Sequence, residues 1–319
     1  VTIRAILAFR NSNYTDIGEK NMPKYYGGIE AGGTKFVCAI GSGPDEILAE
    51  NRFSTTSPSE TLGKTVEFFQ RYEYEFPLES IGIASFGPVD LNPESTTYGY
   101  ITKTPKPDWS DCDVIGTLSR YFQIPIGFDT DVNGALLGEF FWGAAQNIND
   151  SIYLTIGTGI GGGAMVNGNL VHGLVHPEMG HIRLQRDIEI DPFEGCCPFH
   201  GGCLEGLASG TAMEKRWNQR ADTLPSNHPA WELEAEYIAQ GLHILICVLS
   251  PKRIILGGGI MNQSQLFPKV RKKVLNSLNG YVKHTEILDH IDNYIVPPGL
   301  GNKAGVLGAI ALAMKAAEQ

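Results

Sequence analysis

Residues 152–166 read Ile152-Tyr-Leu-Thr-Ile-Gly-Thr-Gly-Ile-Gly-Gly-Gly-Ala-Met-Val166. An apolar run enters, glycines turn the chain, and a second apolar run returns. That pattern predicts a buried strand over 152–156, a tight turn, and an antiparallel return. About 125 residues earlier the chain reads Ile29-Glu-Ala-Gly-Gly-Thr-Lys-Phe-Val37, the same arrangement. Two such hairpins predict a duplicated α/β fold with a cleft between its halves. Clefts of that kind are where small-molecule sites usually lie.

Working outward, strands are expected over 26–30, 35–40, 47–55 and 81–85, with a helix over 58–76 that opens on Pro58. The first hundred residues therefore read as a mixed sheet with a helix. Residues 87–107 form a long proline-rich loop, and a long loop in a compact domain is often functional. A helix over 114–122 and a strand over 124–129 lead to Asp129-Thr-Asp-Val-Asn-Gly134 and a helix over 135–142. Beyond residue 206, helices over 231–249, 266–278 and 303–317 alternate with strands over 253–256 and 294–296. No linker separates the halves.

Gly157-x-Gly159-x-x-Gly162 matches a dinucleotide fingerprint as a string, but strand-like sequence follows where a helix is required. Leu62-Gly-Lys-Thr65 resembles the end of a P-loop, but Pro58 stands where its first glycine should be. Both motifs are discarded. What remains is a pair of glycine turns whose clustered N–H groups and Thr hydroxyls suit phosphates.

His181, Cys197, His200 and Cys203 offer four N/S ligands, the number a closed structural zinc site takes. Cys196 is adjacent and able to replace Cys197; Cys197 is preferred because it precedes Pro198-Phe-His200. Glu178 and Glu205 flank these ligands, and carboxylates accept strong hydrogen bonds from polyol hydroxyls. Asp129 and Asp131 are equally placed, from spacing alone, to act as a base at a strand end. Either also suits a helix N-cap.

The chain has 319 residues, enough for two domains, and a net charge of −10 with no Lys/Arg block. That balance argues against nucleic-acid binding. Six cysteines, three of them within 196–203, make a poor disulfide framework and a fair metal cluster, which suits a reducing cytoplasm. There is no run of eighteen apolar residues for a membrane span. Residues 1–21 read as an extension to the fold, because Met22-Pro-Lys-Tyr-Tyr26 looks like a natural start.

Gly28-Ile-Glu-Ala-Gly-Gly-Thr-Lys35 resembles the first phosphate loop of the actin, hexokinase and heat-shock ATPase superfamily. Leu154–Gly163 resembles its second loop, and Gly257-Gly-Gly-Ile260 its adenosine loop. Glu178-Met-Gly-His181, with Cys197–Cys203 and Leu204-Glu205, resembles the ROK family of bacterial sugar kinases and repressors. Ser85–Pro93, Tyr98–Pro107 and Cys197-Pro-Phe-His200 look like its fructokinase branch. The resemblance runs from residue 25 to residue 317.

The resemblance implies two ribonuclease H-like (actin-like ATPase) domains around an interdomain cleft: 22–140 plus 302–319, and 141–301. It selects Asp131 as catalytic base and assigns Asn133, Glu178, His181 and Glu205 to the sugar. Gly32, Gly33, Thr34, Lys35, Thr158, Gly159, Gly257, Gly258 and Gly259 go to ATP. It implies ATP with Mg²⁺, a structural Zn²⁺ on His181, Cys197, His200 and Cys203, a homodimer, and domain closure over the sugar. His200 stands where many ROK members carry a third cysteine. Fructose is the expected substrate, with glucose, mannose and N-acetylmannosamine as alternatives. A sugar-sensing regulator is the other class of reading. With 27 residues before Gly28, too few for a helix-turn-helix domain, the kinase is expected.

Overall fold

The computed structural model describes residues 23–318, so the segment 1–21 lies outside the described residues. In the first lobe, β1 (Tyr25–Ala31), β2 (Lys35–Gly43) and β3 (Glu46–Ser54) form an antiparallel meander. Then come α1 (Pro58–Tyr72), β4 (Leu78–Ser85), the short pair β5 (Tyr100–Ile101) and β6 (Cys112–Asp113), α2 (Val114–Ser119), β7 (Ile126–Thr130) and α3 (Asp131–Trp142). β4 runs parallel to β1, and β7 parallel to β4, giving the order β3-β2-β1-β4-β7.

The second lobe repeats this plan. β8 (Ser151–Ile156), β9 (Ile160–Val166) and β10 (Asn169–Leu170) form a second meander. α4 (Leu204–Ala208), α5 (Gly210–Trp217), α6 (Ala230–Leu249), β11 (Arg253–Gly257), α7 (Leu266–Leu278), α8 (Thr285–Leu288), α9 (Ile291–Tyr294), β12 (Ile295–Val296) and α10 (Ala304–Ala317) follow. The order is β10-β9-β8-β11-β12, with β11 parallel to β8 and β12 parallel to β11. Order and sense match the first sheet strand for strand, so the duplication expected from the two hairpins is real.

The middle strands read as apolar runs because both faces are covered. Ile81, Ile83, Ile254, Ile255 and Leu256 are fully buried. The last helix, α10, lies on the first sheet: Ser80 Oγ donates to Ala313 O at 2.6 Å, and a Cβ on Gly82 would lie 2.0 Å from Ala309 O. α10 also crosses α3 closely, since a Cβ on Gly308 would lie 2.0 Å from Gly134 O. Ala84, Leu136, Tyr153, Ile255 and Leu312 belong to one buried cluster that joins the lobes through α3 and α10. Among the described residues, no helix is long and apolar enough to cross a membrane.

Two expectations need correction. α3 starts at Asp131, four residues before the expected 135, because Thr130 caps it: Thr130 Oγ1 accepts from Asn133 N at 3.1 Å. The segment after Cys203, with no helix expected before 231, carries α4 and α5. Gly206, Ser209 and Gly210 look like breakers, but Cys203 and Ser209 act as N-caps, and Leu207 and Ala208 are fully buried.

Candidate active site

The cleft holds three adjoining cavities. One of about 720 Å³ is lined by Lys103, Thr104, Asp131, Glu178, His181 and Glu205, among others. One of about 590 Å³ is lined by Glu30, Lys35, Asp131 and Gly257–Gly259. One of about 500 Å³ is lined by Thr158, Thr211, Arg220 and Gly259. Asp131 and Val132 are the residues common to the first two linings.

Asp131 is the first residue of α3, and Thr130 takes the capping role, which leaves the Asp131 carboxyl free to face the cleft. Oδ1 accepts only its neighbour's N–H, from Val132 at 2.9 Å. Surrounding protein strips water from the carboxyl and pushes its pKa up to about 7, with smaller contributions from the negative charges of Glu30 and Glu178. Asp129 has a different fate. It is buried, and Thr130 N, the Asn133 amide and His172 Nε2 contact its carboxylate at 2.7, 2.8 and 2.8 Å. The two aspartates that spacing leaves equal differ in their partners: three groups hold the Asp129 carboxylate, whereas Asp131 accepts a single backbone N–H.

Asn133 departs from the sugar-binding expectation. It is 1% exposed, lines none of these cavities, and fastens Asp129 from behind the wall. Helical periodicity turns it inward from α3, a direction that the Asp-x-Asn string does not reveal. Glu178 and His181 face the 720 Å³ cavity. So does Glu205, whose Oε2 accepts Ile160 N at 3.0 Å.

Among the glycine-turn residues, Lys35 lines the 590 Å³ cavity and lies 3.9 Å from Glu30. Gly32, Gly33 and Thr34 form the turn beside it, where Thr55 Oγ1 donates to Gly32 O at 2.7 Å. Thr158 opens onto the 500 Å³ cavity, whereas Gly159 lies beneath Glu205: a Cβ there would meet its Oε2 at 2.6 Å. Gly258 has φ +90°, and a Cβ would lie 2.4 Å from Ile156 O, so this backbone course requires glycine. Sequence reading missed Glu30, Lys103, Thr211 and Arg220. Glu30 carried a signal, since it sits inside the first hairpin facing the turn. Burial raises its pKa, against the pull of Lys35. Thr211 lies on the unexpected α5, where its N–H and Oγ1 both donate to Thr158 O.

His181, Cys197, His200 and Cys203 place one ligand atom each within 4.8 Å of one another. Cys197 Sγ lies 3.7 Å from His181 Nδ1 and 3.6 Å from His200 Nδ1, and Cys203 Sγ lies 3.6 Å from His181 Nδ1. Tetrahedral bonds of zinc length would set N and S about 3.6 Å apart, so the donor set fits that ion. Cys196 stays outside the cluster, its N–H donating to Gly206 O. His181 uses Nδ1 toward the sulfurs, and its Nε2 lies 3.9 Å from Glu178 Oε2.

The ROK family model matches residues 26–316. The chain belongs to the ROK family. Among similar proteins, the fructokinase of Zymomonas mobilis is 46% identical over 301 residues, 93% of this chain and 99% of that protein. The fructokinase of Pediococcus pentosaceus is 45% identical over 290 residues, 91% and 98%. Among solved structures, a ROK glucokinase from Streptomyces griseus, in complex with glucose and AMPPNP, superposes with TM-score 0.71 at 25% identity, covering 91% of this chain and 99% of that one.

Proposed function

We propose that this ROK chain is an ATP-dependent hexose kinase that phosphorylates the 6-hydroxyl of D-fructose. The observation that carries the reading is the position of Asp131, the one ionisable side chain common to the 720 and 590 Å³ cavities. The similarity to two fructokinases supports fructose over the other hexoses.

In this reading the sugar occupies the 720 Å³ cavity, with its hydroxyls held by Glu178, His181 and Glu205. The nucleotide lies across the other two cavities, its phosphates near Lys35, the 32–34 and 157–159 turns, and Gly257–Gly259. Asp131 accepts the 6-hydroxyl proton as that oxygen bonds to the γ-phosphorus. The bond from the γ-phosphorus to the β–γ bridging oxygen breaks and ADP leaves. A base with a pKa near the working pH suits this transfer. Mg²⁺ neutralises phosphate charge when bound. Glu30 and Asp131 are the carboxylates that line the 590 Å³ cavity, and Gly305 leaves room for Glu30, whose carboxyl carbon would lie 2.6 Å from a Cβ there.

Zn²⁺ on His181, Cys197, His200 and Cys203 fills four positions with protein ligands, so it is structural and fixes the sugar wall. The domains 22–140 plus 302–319 and 141–301, closure between them, a homodimer and a cytoplasmic setting belong to the same reading.

A coupled ADP-release assay across D-fructose, D-mannose, D-glucose and N-acetyl-D-mannosamine tests it. The expected result is the highest kcat/KM with fructose. No ADP release with any hexose would overturn the kinase reading. Release confined to another sugar would overturn fructose alone.

A further inference from the structure

We infer that His176 is a positioning residue that sets the Glu178 carboxylate against the sugar. The inference rests on the sugar-binding reading of Glu178. His176 lies in the stretch between β10 and His181, in the second lobe, yet its ring is packed on the first. Val89 N donates to His176 Nε2 at 3.3 Å, and a Cβ on Gly87 would lie 3.4 Å from the same nitrogen. A backbone N–H only donates, so Nε2 presents its lone pair. In the neutral ring the proton is then on Nδ1. Nδ1 faces Glu178 Oε1 at 3.5 Å. His181 Nε2 approaches the other oxygen, Oε2, at 3.9 Å. Two imidazoles thus bracket one carboxylate, each having its orientation set at its far nitrogen: His176 by Val89, His181 by the Cys/His cluster.

Position makes this more than packing. His176 is 8% exposed, whereas the Glu178 side chain is 48% exposed. The fixed partner is therefore the histidine, and the group left facing the cleft is the carboxylate. His176, Glu178 and Pro88 also line a neighbouring cavity of about 750 Å³ that opens between residues 88–95 and 172–178. They stand as the partition between that space and the 720 Å³ sugar cavity. A carboxylate on such a partition has room on both sides, and a donor behind it selects one orientation. The ordering cost is then met by the fold before sugar arrives, the general advantage of preorganisation.

The test compares D-fructose and ATP kinetics of four variants: Glu178→Gln, His176→Phe, His176→Gln, and Glu178→Gln combined with His176→Phe. Phenylalanine fills the ring space without an acceptor for Val89 or a donor for Glu178. Glutamine keeps one of each. His176→Phe is expected to raise the fructose KM about tenfold, leave the ATP KM within about twofold, and be largely rescued in His176→Gln. The double variant is expected to be no worse in fructose KM than Glu178→Gln alone, because coupled residues are not additive. Loss of fold shows as a lowered melting temperature and a fall in apparent kcat with both KM values unchanged, and that outcome overturns the inference in favour of a packing role. A raised fructose KM in Glu178→Gln with an additive double variant also overturns the inference while keeping Glu178 on the sugar. An unchanged fructose KM in Glu178→Gln overturns the reading of Glu178 itself, and the inference with it.

Discussion

Glu205 Oε2 accepts the backbone N–H of Ile160 at 3.0 Å, which ties the end of the Cys/His segment to the β8–β9 hairpin. Cys203 is the N-cap of the helix that carries Glu205, so a metal on Cys203 fixes this carboxylate through two residues of backbone. His181 links the same cluster to Glu178. Stripping zinc with a chelator is expected to lower the melting temperature and raise the fructose KM more than the ATP KM, with recovery on adding Zn²⁺. Metal analysis, melting curves and steady-state kinetics on the same sample check this. Zinc-free protein with an unchanged fructose KM would uncouple the metal from the sugar wall.

The raised pKa of Asp131 gives a rate prediction. The base must be ionised to accept a proton, so kcat/KM for fructose is expected to rise with pH and level off above about 7. Below that value it should fall about tenfold per pH unit. A pH–rate profile from 5 to 9 reads the apparent pKa. A flat profile through that interval would show that Asp131 titrates elsewhere.

The same shift predicts a stability effect of definite sign. The folded-state pKa lies above the ordinary 3.8, so the folded protein holds the proton more tightly than the unfolded chain. Stability from this group is fully present below about pH 4 and is lost as pH rises through about 7. Asp131→Asn removes the loss. The variant is expected to melt about 2–4 °C above the parent at pH 8, and the difference should shrink toward pH 5. Melting curves at the two pH values check this. Equal melting temperatures at pH 8 would contradict it.

Residues leading into the Cys/His cluster are anchored by a buried charge network. Arg216 Nε donates to Asp191 Oδ1 at 3.1 Å, Arg216 Nη2 donates to Leu207 O, and Tyr237 Oη donates to Asp191 Oδ2 at 2.6 Å. Asp191 is 2% exposed, so Arg216→Ala leaves a buried carboxylate without its cation. A loss of about 3–5 kcal/mol is expected, with weaker zinc retention. Tyr237→Phe, which removes one neutral donor, should cost about 1–2 kcal/mol. Urea unfolding of both variants measures the difference.

What was legible in the sequence follows from local rules. Ile29–Val37 and Ile152–Val166 announce hairpins because period and glycine placement are short-range properties, and their repetition carried the duplicated sheets. The Cys/His cluster was legible because His181, Cys197, His200 and Cys203 are chemically rare and close in sequence, and the fold brings one ligand atom of each within 4.8 Å of the others. The direction in which a side chain points was not. Asp131 and Asn133 lie two residues apart, yet one faces the cleft and the other holds Asp129 inside the wall. That difference depends on where α3 begins, which Thr130 decides. α4 and α5 were hidden because their glycines suggest turns, and only burial of Leu207 and Ala208 outweighs that preference. His176 escaped notice because its partners, Val89 and Glu178, come from opposite lobes.

The central claim is that Asp131 takes the proton from the sugar hydroxyl. The direct measurement is kcat for ADP release with D-fructose in Asp131→Asn, alongside ATP binding by the same variant. Removal of a single general base is worth about 10²–10⁴-fold. The account predicts a fall in kcat of that size with ATP affinity and fold retained. A kcat within a few-fold of the parent would contradict it.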